Sequence, residues 1–376
     1  MRDPRIYIIA GEASGDLHGS NLMKALQAEA SGRIDFRFWG GDKMAEIAGS
    51  PVKHIRDLAF MGFIEVVANL RTILRNIDLC KKDIQEFKPD VLVLIDYPGF
   101  NLRIAEWAKQ SGIRVAYYIS PQVWAWKESR VHKIKRSVDH MYVILPFERA
   151  FYQKHGFEVE YVGHPLMDAI AEYRSNSVGN SEIRRDLGLG NEKVIAVLPG
   201  SRKQEISVKL PIMLEALKEF SDHTILVAGA PSLDPSFYTA YLNNNINVIF
   251  GRTYDILAIS EAAVVTSGTA TLETALIGTP EVVCYKGSSI SYRIAKRLIK
   301  IRFISLVNLI LDREAVKELI QHECNPRNIR DEVGKLLGET SERKKMISDF
   351  DELRRLLGEG GASLKVARSL LKTIQG

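Results

Sequence analysis

A chain of 376 residues is longer than one compact core usually serves, so two domains are expected; 46% apolar and 26% charged residues is an ordinary globular composition. The formal charge of +5 suits a phosphorylated substrate or an anionic lipid surface and makes no case for a nucleic-acid partner. The three cysteines, Cys80, Cys284 and Cys324, are odd in number and far apart, which argues against a disulfide framework or a zinc site and points to a reducing compartment.

The apolar run at residues 6–10 is cut short by Gly11-Glu12, too early for a signal-peptide core. No run approaches the roughly 20 apolar residues of a membrane-spanning helix. Residues 5–10 read instead as a strand, followed by strands at 35–39, 91–96, 114–119, 140–145 and 158–162. Several are continuously apolar, as strands covered on both faces tend to be. Helical patterns lie between them, for example at 17–30 and at 101–111, the latter closed by Gly112.

After Gly163-His164-Pro165 the pattern weakens; residues 173–180 read as a linker and 183–187 as a short helix. A second alternating series follows, with strands at 194–198, 224–228, 247–250, 263–266 and 281–285. Alternation of strand and helix predicts parallel sheets with right-handed crossovers. The expected fold class is α/β: a Rossmann-like domain over residues 1–170, a second over 185–340, and a charged helical tail over 341–376. The two sheets are expected to face a central cleft, with ligands at the carboxyl ends of the strands.

Four turns carry candidate chemistry. Gly11-Glu12-Ala13-Ser14-Gly15-Asp16 joins a strand to a helix without the G-x-G-x-x-G spacing of a dinucleotide site, which disfavours an NAD-dependent dehydrogenase. Either Ser14 or Asp16 caps the helix, or Glu12 and Asp16 grip the neutral hydroxyls of a sugar. Asp96, before Tyr97-Pro98-Gly99-Phe100-Asn101, ends a buried strand; it is either a desolvated general base for a hydroxyl or a turn residue bonded to local amides. In the second half, Leu198-Pro199-Gly200-Ser201-Arg202 delivers a guanidinium that clamps phosphate or makes a surface ion pair. Ser267-Gly268-Thr269-Ala270-Thr271 opens a helix with small residues that leave backbone amides to an anion. Glu273, one turn on, either accepts from ribose hydroxyls or merely complements the helix dipole.

Ser120-Pro121-Gln122-Val123-Trp124-Ala125-Trp126, trailed by Lys127, Arg130, Lys133, Lys135 and Arg136, offers Gln122 and Trp126 to an acceptor sugar or acyl chain. Its plain alternative is core tryptophan beside a solvated basic helix. Residues 61–70, with Phe63, Val66, Val67 and Leu70, lead into Arg71 and Arg75 and suit a peripheral membrane helix; so do the basic and aliphatic residues of 292–303. Packing on the chain's own sheet is the alternative for both. No metal is expected, since His322-Glu323-Cys324 lacks a partner at ligand spacing and Asp349-Phe350-Asp351 lies in the tail.

These motifs, in this order and with Gly163-His164-Pro165 between the halves, resemble those of the lipid-A-disaccharide synthase family over roughly residues 5–325. The resemblance implies a GT-B fold and a metal-free, inverting transfer from UDP-2,3-diacylglucosamine to 2,3-diacylglucosamine 1-phosphate. The product is a β-1,6-linked disaccharide phosphate, with UDP released. It implies Asp96 as the base or acceptor-orienting acid, Glu12, Ser14 and Asp16 on the acceptor side, and Gly200, Ser201, Arg202, the 267–271 turn, Glu273 and Asn308 on the nucleotide sugar. It also implies a cytoplasmic, peripheral place on the inner membrane and a homodimer that exchanges C-terminal segments. Val307, Lys317 and Glu281 depart from the family pattern. The rival readings are another GT-B enzyme on UDP-N-acetylglucosamine, either an epimerase or a cell-wall lipid glycosyltransferase, and a non-catalytic nucleotide-sugar-binding protein.

Overall fold

The computed structural model describes residues 2–58, 70–242, 246–288 and 301–375. The chain divides into two units, one made of residues 1–168 and 359–376 and the other of residues 169–358.

The first unit holds a seven-stranded sheet in the order β3-β2-β1-β4-β5-β6-β7. Its strands are β1 Arg5–Ala10, β2 Asp35–Gly40, β3 Lys53–His54, β4 Val91–Ile95, β5 Val115–Tyr118, β6 His140–Val143 and β7 Glu160–Tyr161. Every pairing is parallel. Alternate residues of β1 and β4 enter separate cores: Tyr7, Ile9, Leu92 and Leu94 on one face, Ile6, Ile8, Val91, Val93 and Ile95 on the other. Burial on both faces explains why these strands are apolar throughout.

The second core is completed from the far end of the chain. Helix Ala362–Gln375 packs on helix Ala13–Glu29 and contributes Val366, Ala367, Leu370 and Leu371. Full burial of each large aliphatic side chain stabilises by roughly 1.5–3 kcal/mol. Asp168 accepts from the amides of Gly361 and Ala362, joining the end of the first segment to the start of the last.

The second unit holds a six-stranded sheet in the order β10-β9-β8-β11-β12-β13. Its strands are β8 Lys193–Leu198, β9 His223–Gly229, β10 Ile246–Phe250, β11 Ala262–Thr266, β12 Glu281–Tyr285 and β13 Lys317–Ile320. They too pair in parallel. Glu281, at the start of β12, is fully buried, and neither carboxyl oxygen has a hydrogen-bond partner among the described residues. Burial holds its pKa well above the usual carboxylate range and so favours the neutral acid.

Three expectations are corrected. The tail 341–376 is two helices rather than one piece: Ser341–Leu357 belongs to the second unit and Ala362–Gln375 to the first. The first half of the 173–180 stretch is the end of helix Pro165–Asn176, and the linker shrinks to residues 177–179. Asp96 falls outside β4, because its backbone turns left-handed with φ 44°.

Candidate functional site

In the first unit the strand order reverses between β1 and β4, where Ala10 lies beside Ile95. The two following turns are therefore neighbours at the carboxyl edge, where open α/β sheets bind ligands. Gly11 is required there: a Cβ on it would lie 2.3 Å from the Tyr97 ring. Asp96 and Tyr97 are consecutive left-handed residues, with φ 44° and 50°. Each costs on the order of 1–2 kcal/mol in an L-residue. Neighbours hold the strain in place. The Tyr117 hydroxyl and the Asn101 amide donate to the Asp96 carbonyl at 2.5 and 2.8 Å, and Asn101 also donates to the Ile95 carbonyl at 3.2 Å.

The result is a desolvated carboxyl beside a second acid. Burial first, then the charge of Glu12, pushes the Asp96 pKa up to about 6, with the Tyr97 amide opposing. The structure thus brings Asp96 and Glu12 together. Glu12 is half-buried at the N-cap of its helix, and its side chain makes no capping bond. Ser14 is exposed one residue into the helix proper.

Asp16 has another task. Its oxygens accept from the amides of Gly41 at 2.7 Å and of Lys43 and Met44 at 3.1 Å, so it caps the helix Asp42–Ala48 rather than facing a sugar. It is neither free for an acceptor nor the cap of its own helix.

After β5, Ser120 bonds the Tyr152 hydroxyl at 2.7 Å and the Trp124 indole donates to Glu148 at 3.2 Å. Glu148 is buried and also accepts from the amides of Ile144 and Leu145. Burial pushes its pKa up to about 7. Gln122 and Trp126 stay exposed, and Trp126 is bracketed by Lys127 at 4.4 Å and Arg130 at 5.3 Å from its ring.

In the second unit the order reverses between β8 and β11, where Leu198 lies beside Val265. The turns after them line a cavity of about 400 Å³ with Gly200, Ser201, Glu205, Ser267, Gly268, Thr269 and Glu273. Gly200 and Gly268 adopt φ 115° and 155°, which only glycine takes without strain. Helix Thr269–Ile277 begins here, and its N-cap residue, Gly268, supplies no side-chain hydrogen bond. Its first amides and its dipole suit an anion. Arg202 does not itself line the cavity; its exposed side chain pairs with Glu205, Nη1 to Oε1 at 3.4 Å. Glu205 also stands 3.8 Å from the buried Lys209 ammonium.

Two expected nucleotide residues are absorbed by the fold. The Thr271 hydroxyl is buried and donates to the Gly268 carbonyl at 2.9 Å. Asn308 is fully buried: its amide donates to the Val316 carbonyl and to Glu318, and its oxygen accepts from the amides of Ala315 and Val316, all at 2.8–2.9 Å. It pins the chain around β13 instead of reaching a ligand. Sequence reading missed Glu205, Thr253 and Tyr254. Thr253 lines the cavity, and the Tyr254 hydroxyl donates to Glu273 at 2.8 Å.

Phe63, Val66 and Val67 lie outside the described residues, as do residues 292–300 and the side chain of Leu70. Leu74 and Leu79, on helix Leu70–Phe87, are exposed. Among the described residues no helix is long and apolar enough to cross a membrane, and no group of three or more His, Cys, Asp or Glu residues could hold a metal ion.

Comparison with known proteins places this architecture. Solved structures of similar shape include UDP-GlcNAc 2-epimerase from Neisseria meningitidis bound to UDP-GlcNAc (TM-score 0.67, 13% identity, covering 98% of this chain and 100% of that one). Another is the glycotransferase of kitacinnamycin (TM-score 0.65, 14% identity, all of both chains). At such identity they speak for the fold alone, which is GT-B. Sequence says more. The relative from Syntrophus aciditrophicus named lipid-A-disaccharide synthase is 41% identical over 386 aligned positions, spanning 100% of this chain and 99% of that one. One from Coxiella burnetii, with the same name, is 37% identical and spans 98% of each. The family model described as lipid-A-disaccharide synthetase matches residues 6–368, and the chain belongs to that family.

Proposed function

We propose that the chain joins UDP-2,3-diacylglucosamine to 2,3-diacylglucosamine 1-phosphate with inversion, giving the β-1,6-linked disaccharide 1-phosphate and UDP. Family membership makes it a glycosyltransferase of lipid A disaccharide synthesis. The observation that carries the finer assignment is the opposite character of the two switch-point turns. One offers a carboxyl with its pKa at about 6, the other backbone amides, an arginine and a cavity.

In this reading Asp96 takes the proton of the attacking acceptor hydroxyl. A base with a pKa near 6 is ionised at neutral pH yet basic enough to share a proton in the transition state. Glu12, Ser14, Gln122 and Trp126 accompany it on the acceptor side, the last with two cations beside it for a phosphate. The departing diphosphate is neutralised by Arg202 and the amides opening helix Thr269–Ile277, with no metal. Ser201, Ser267 and Thr269 line its seat, and Glu273 accepts from the ribose hydroxyls.

The acylated substrates fit a peripheral place on the cytoplasmic face of the inner membrane, reached through residues 61–70 and an anionic lipid surface. Liposome flotation of Phe63→Glu tests this, and undiminished association would count against it. A dimer that exchanges C-terminal segments would seat a partner's copy of helix Ala362–Gln375 on helix Ala13–Glu29. Light scattering that finds only monomer removes that element.

The deciding experiment incubates the chain with acylated donor and acceptor in EDTA and identifies the product by mass. A disaccharide 1-phosphate with stoichiometric UDP is expected. Epimerisation of UDP-N-acetylglucosamine, or UDP binding without turnover on any acceptor, would replace the proposal.

A further inference from the structure

Glu273 lines the second unit's cavity from helix Thr269–Ile277, and one of its oxygens is already occupied. The Tyr254 hydroxyl donates to Oε1 at 2.8 Å; Oε2 has no hydrogen-bond partner among the described residues. Tyr254 is itself held from behind. Its ring meets that of Tyr173 edge-on, with centroids 5.3 Å apart and planes at 73°. The Tyr173 hydroxyl donates to Asp255 at 2.9 Å, and Asp255 accepts from Arg252 at 2.6 Å. Packing fixes the direction in which Tyr254 points its proton, and so fixes the plane of the carboxylate it binds.

A carboxylate accepts from a vicinal diol through correctly placed lone pairs. If both oxygens rotated freely, that placement would be lost to side-chain entropy. We infer that Tyr254 is a positioning residue: it clamps Oε1 so that Oε2 is presented to the ribose diol of a nucleoside diphosphate, making the cavity selective for ribonucleotides. The inference rests on the donor-site reading of this cavity. The hydrogen bond also favours the ionised form of Glu273 against the burial that raises its pKa.

Tyr254→Phe keeps the ring and its packing and removes only the proton donor. Calorimetric binding of UDP and of 2′,3′-dideoxy-UDP separates positioning from mere structural support. The wild-type chain is expected to prefer UDP by about tenfold or more, the scale of a hydrogen bond to a charged group. Tyr254→Phe is expected to cut that preference below about threefold while leaving dideoxy-UDP binding unchanged. Retained preference, or equal loss for both ligands, overturns the positioning role. Glu273→Gln is the control on the underlying reading. If it leaves UDP binding intact, or if the wild type does not discriminate, the donor-site assignment of Glu273 itself falls. If Glu273→Gln weakens UDP while Tyr254→Phe does not, only the clamp is lost.

Discussion

Both units end adjacent parallel strands at a point where the strand order reverses, and each bends its backbone sharply there, but they meet the bend differently. In the second unit glycines take the unusual dihedrals, Gly200 at φ 115° and Gly268 at φ 155°, and the turn offers its own amides. In the first unit the left-handed residues are Asp96 and Tyr97, which carry side chains and the strain that goes with them. Tyr117, Asn101 and a bare Gly11 hold them there. Where the backbone is the ligand, glycine relieves the turn. Where a side chain must be aimed, glycine is unavailable and neighbours must hold the strain. One fold thus gives an acidic turn and a glycine turn at a helix N-terminus without any change of architecture.

That contrast can be broken at either end. Asp96→Asn is expected to lower turnover by more than about a hundredfold with UDP affinity unchanged. A matching loss of UDP affinity would erase the division of labour. Arg202→Ala is expected to raise the Michaelis constant for the donor by about tenfold or more. Unchanged kinetics would remove Arg202 from the site.

Two substitutions separate fold from function in the second unit. Asn308→Ala strands buried polar groups around β13 and is expected to cost about 2–4 kcal/mol in denaturant unfolding, without changing UDP affinity in the folded protein. Selective loss of UDP binding at undiminished stability would return Asn308 to the site. Glu281→Val removes a buried carboxyl that has no partner among the described residues and is expected to stabilise by about 1–2 kcal/mol near neutral pH. The folded pKa of Glu281 is raised, so its contribution is complete below the unfolded carboxylate range and is lost as pH rises toward the folded value. The gain on Glu281→Val should therefore shrink in acid; a gain independent of pH would refute the neutral-acid description.

The smallest effect is expected from Glu12→Gln. Removing that charge lets the Asp96 pKa fall from about 6, so the acid limb of turnover moves to lower pH. No movement would mean that Glu12 does not face Asp96.

The two-sheet plan was readable because strands buried on both faces are written as unbroken apolar runs, as in Val91–Ile95. The two-residue strand Lys53–His54 and the mixed Lys317–Ile320 carry no such signal, since edge strands need little apolar surface. Motif position identified the turns but not what each polar side chain binds. Asp16 and Asn308 resemble ligand residues in sequence and are bonded to backbone in space. Tyr254 escaped because its partner lies 19 residues away on another helix. The split of the tail had a visible mark in Gly358-Glu359-Gly360-Gly361, where Gly358 and Gly361 take φ 75° and 85°.

The return of helix Ala362–Gln375 to the first unit has a consequence for biosynthesis. The seven-stranded sheet lacks part of its hydrophobic face until helix Ala362–Gln375 has been synthesised, whereas the 169–358 segment precedes that helix in the chain. Vectorial folding would therefore finish residues 169–358 before the sheet that precedes them, and a nascent chain stalled short of residue 362 would display an uncovered apolar seat to chaperones.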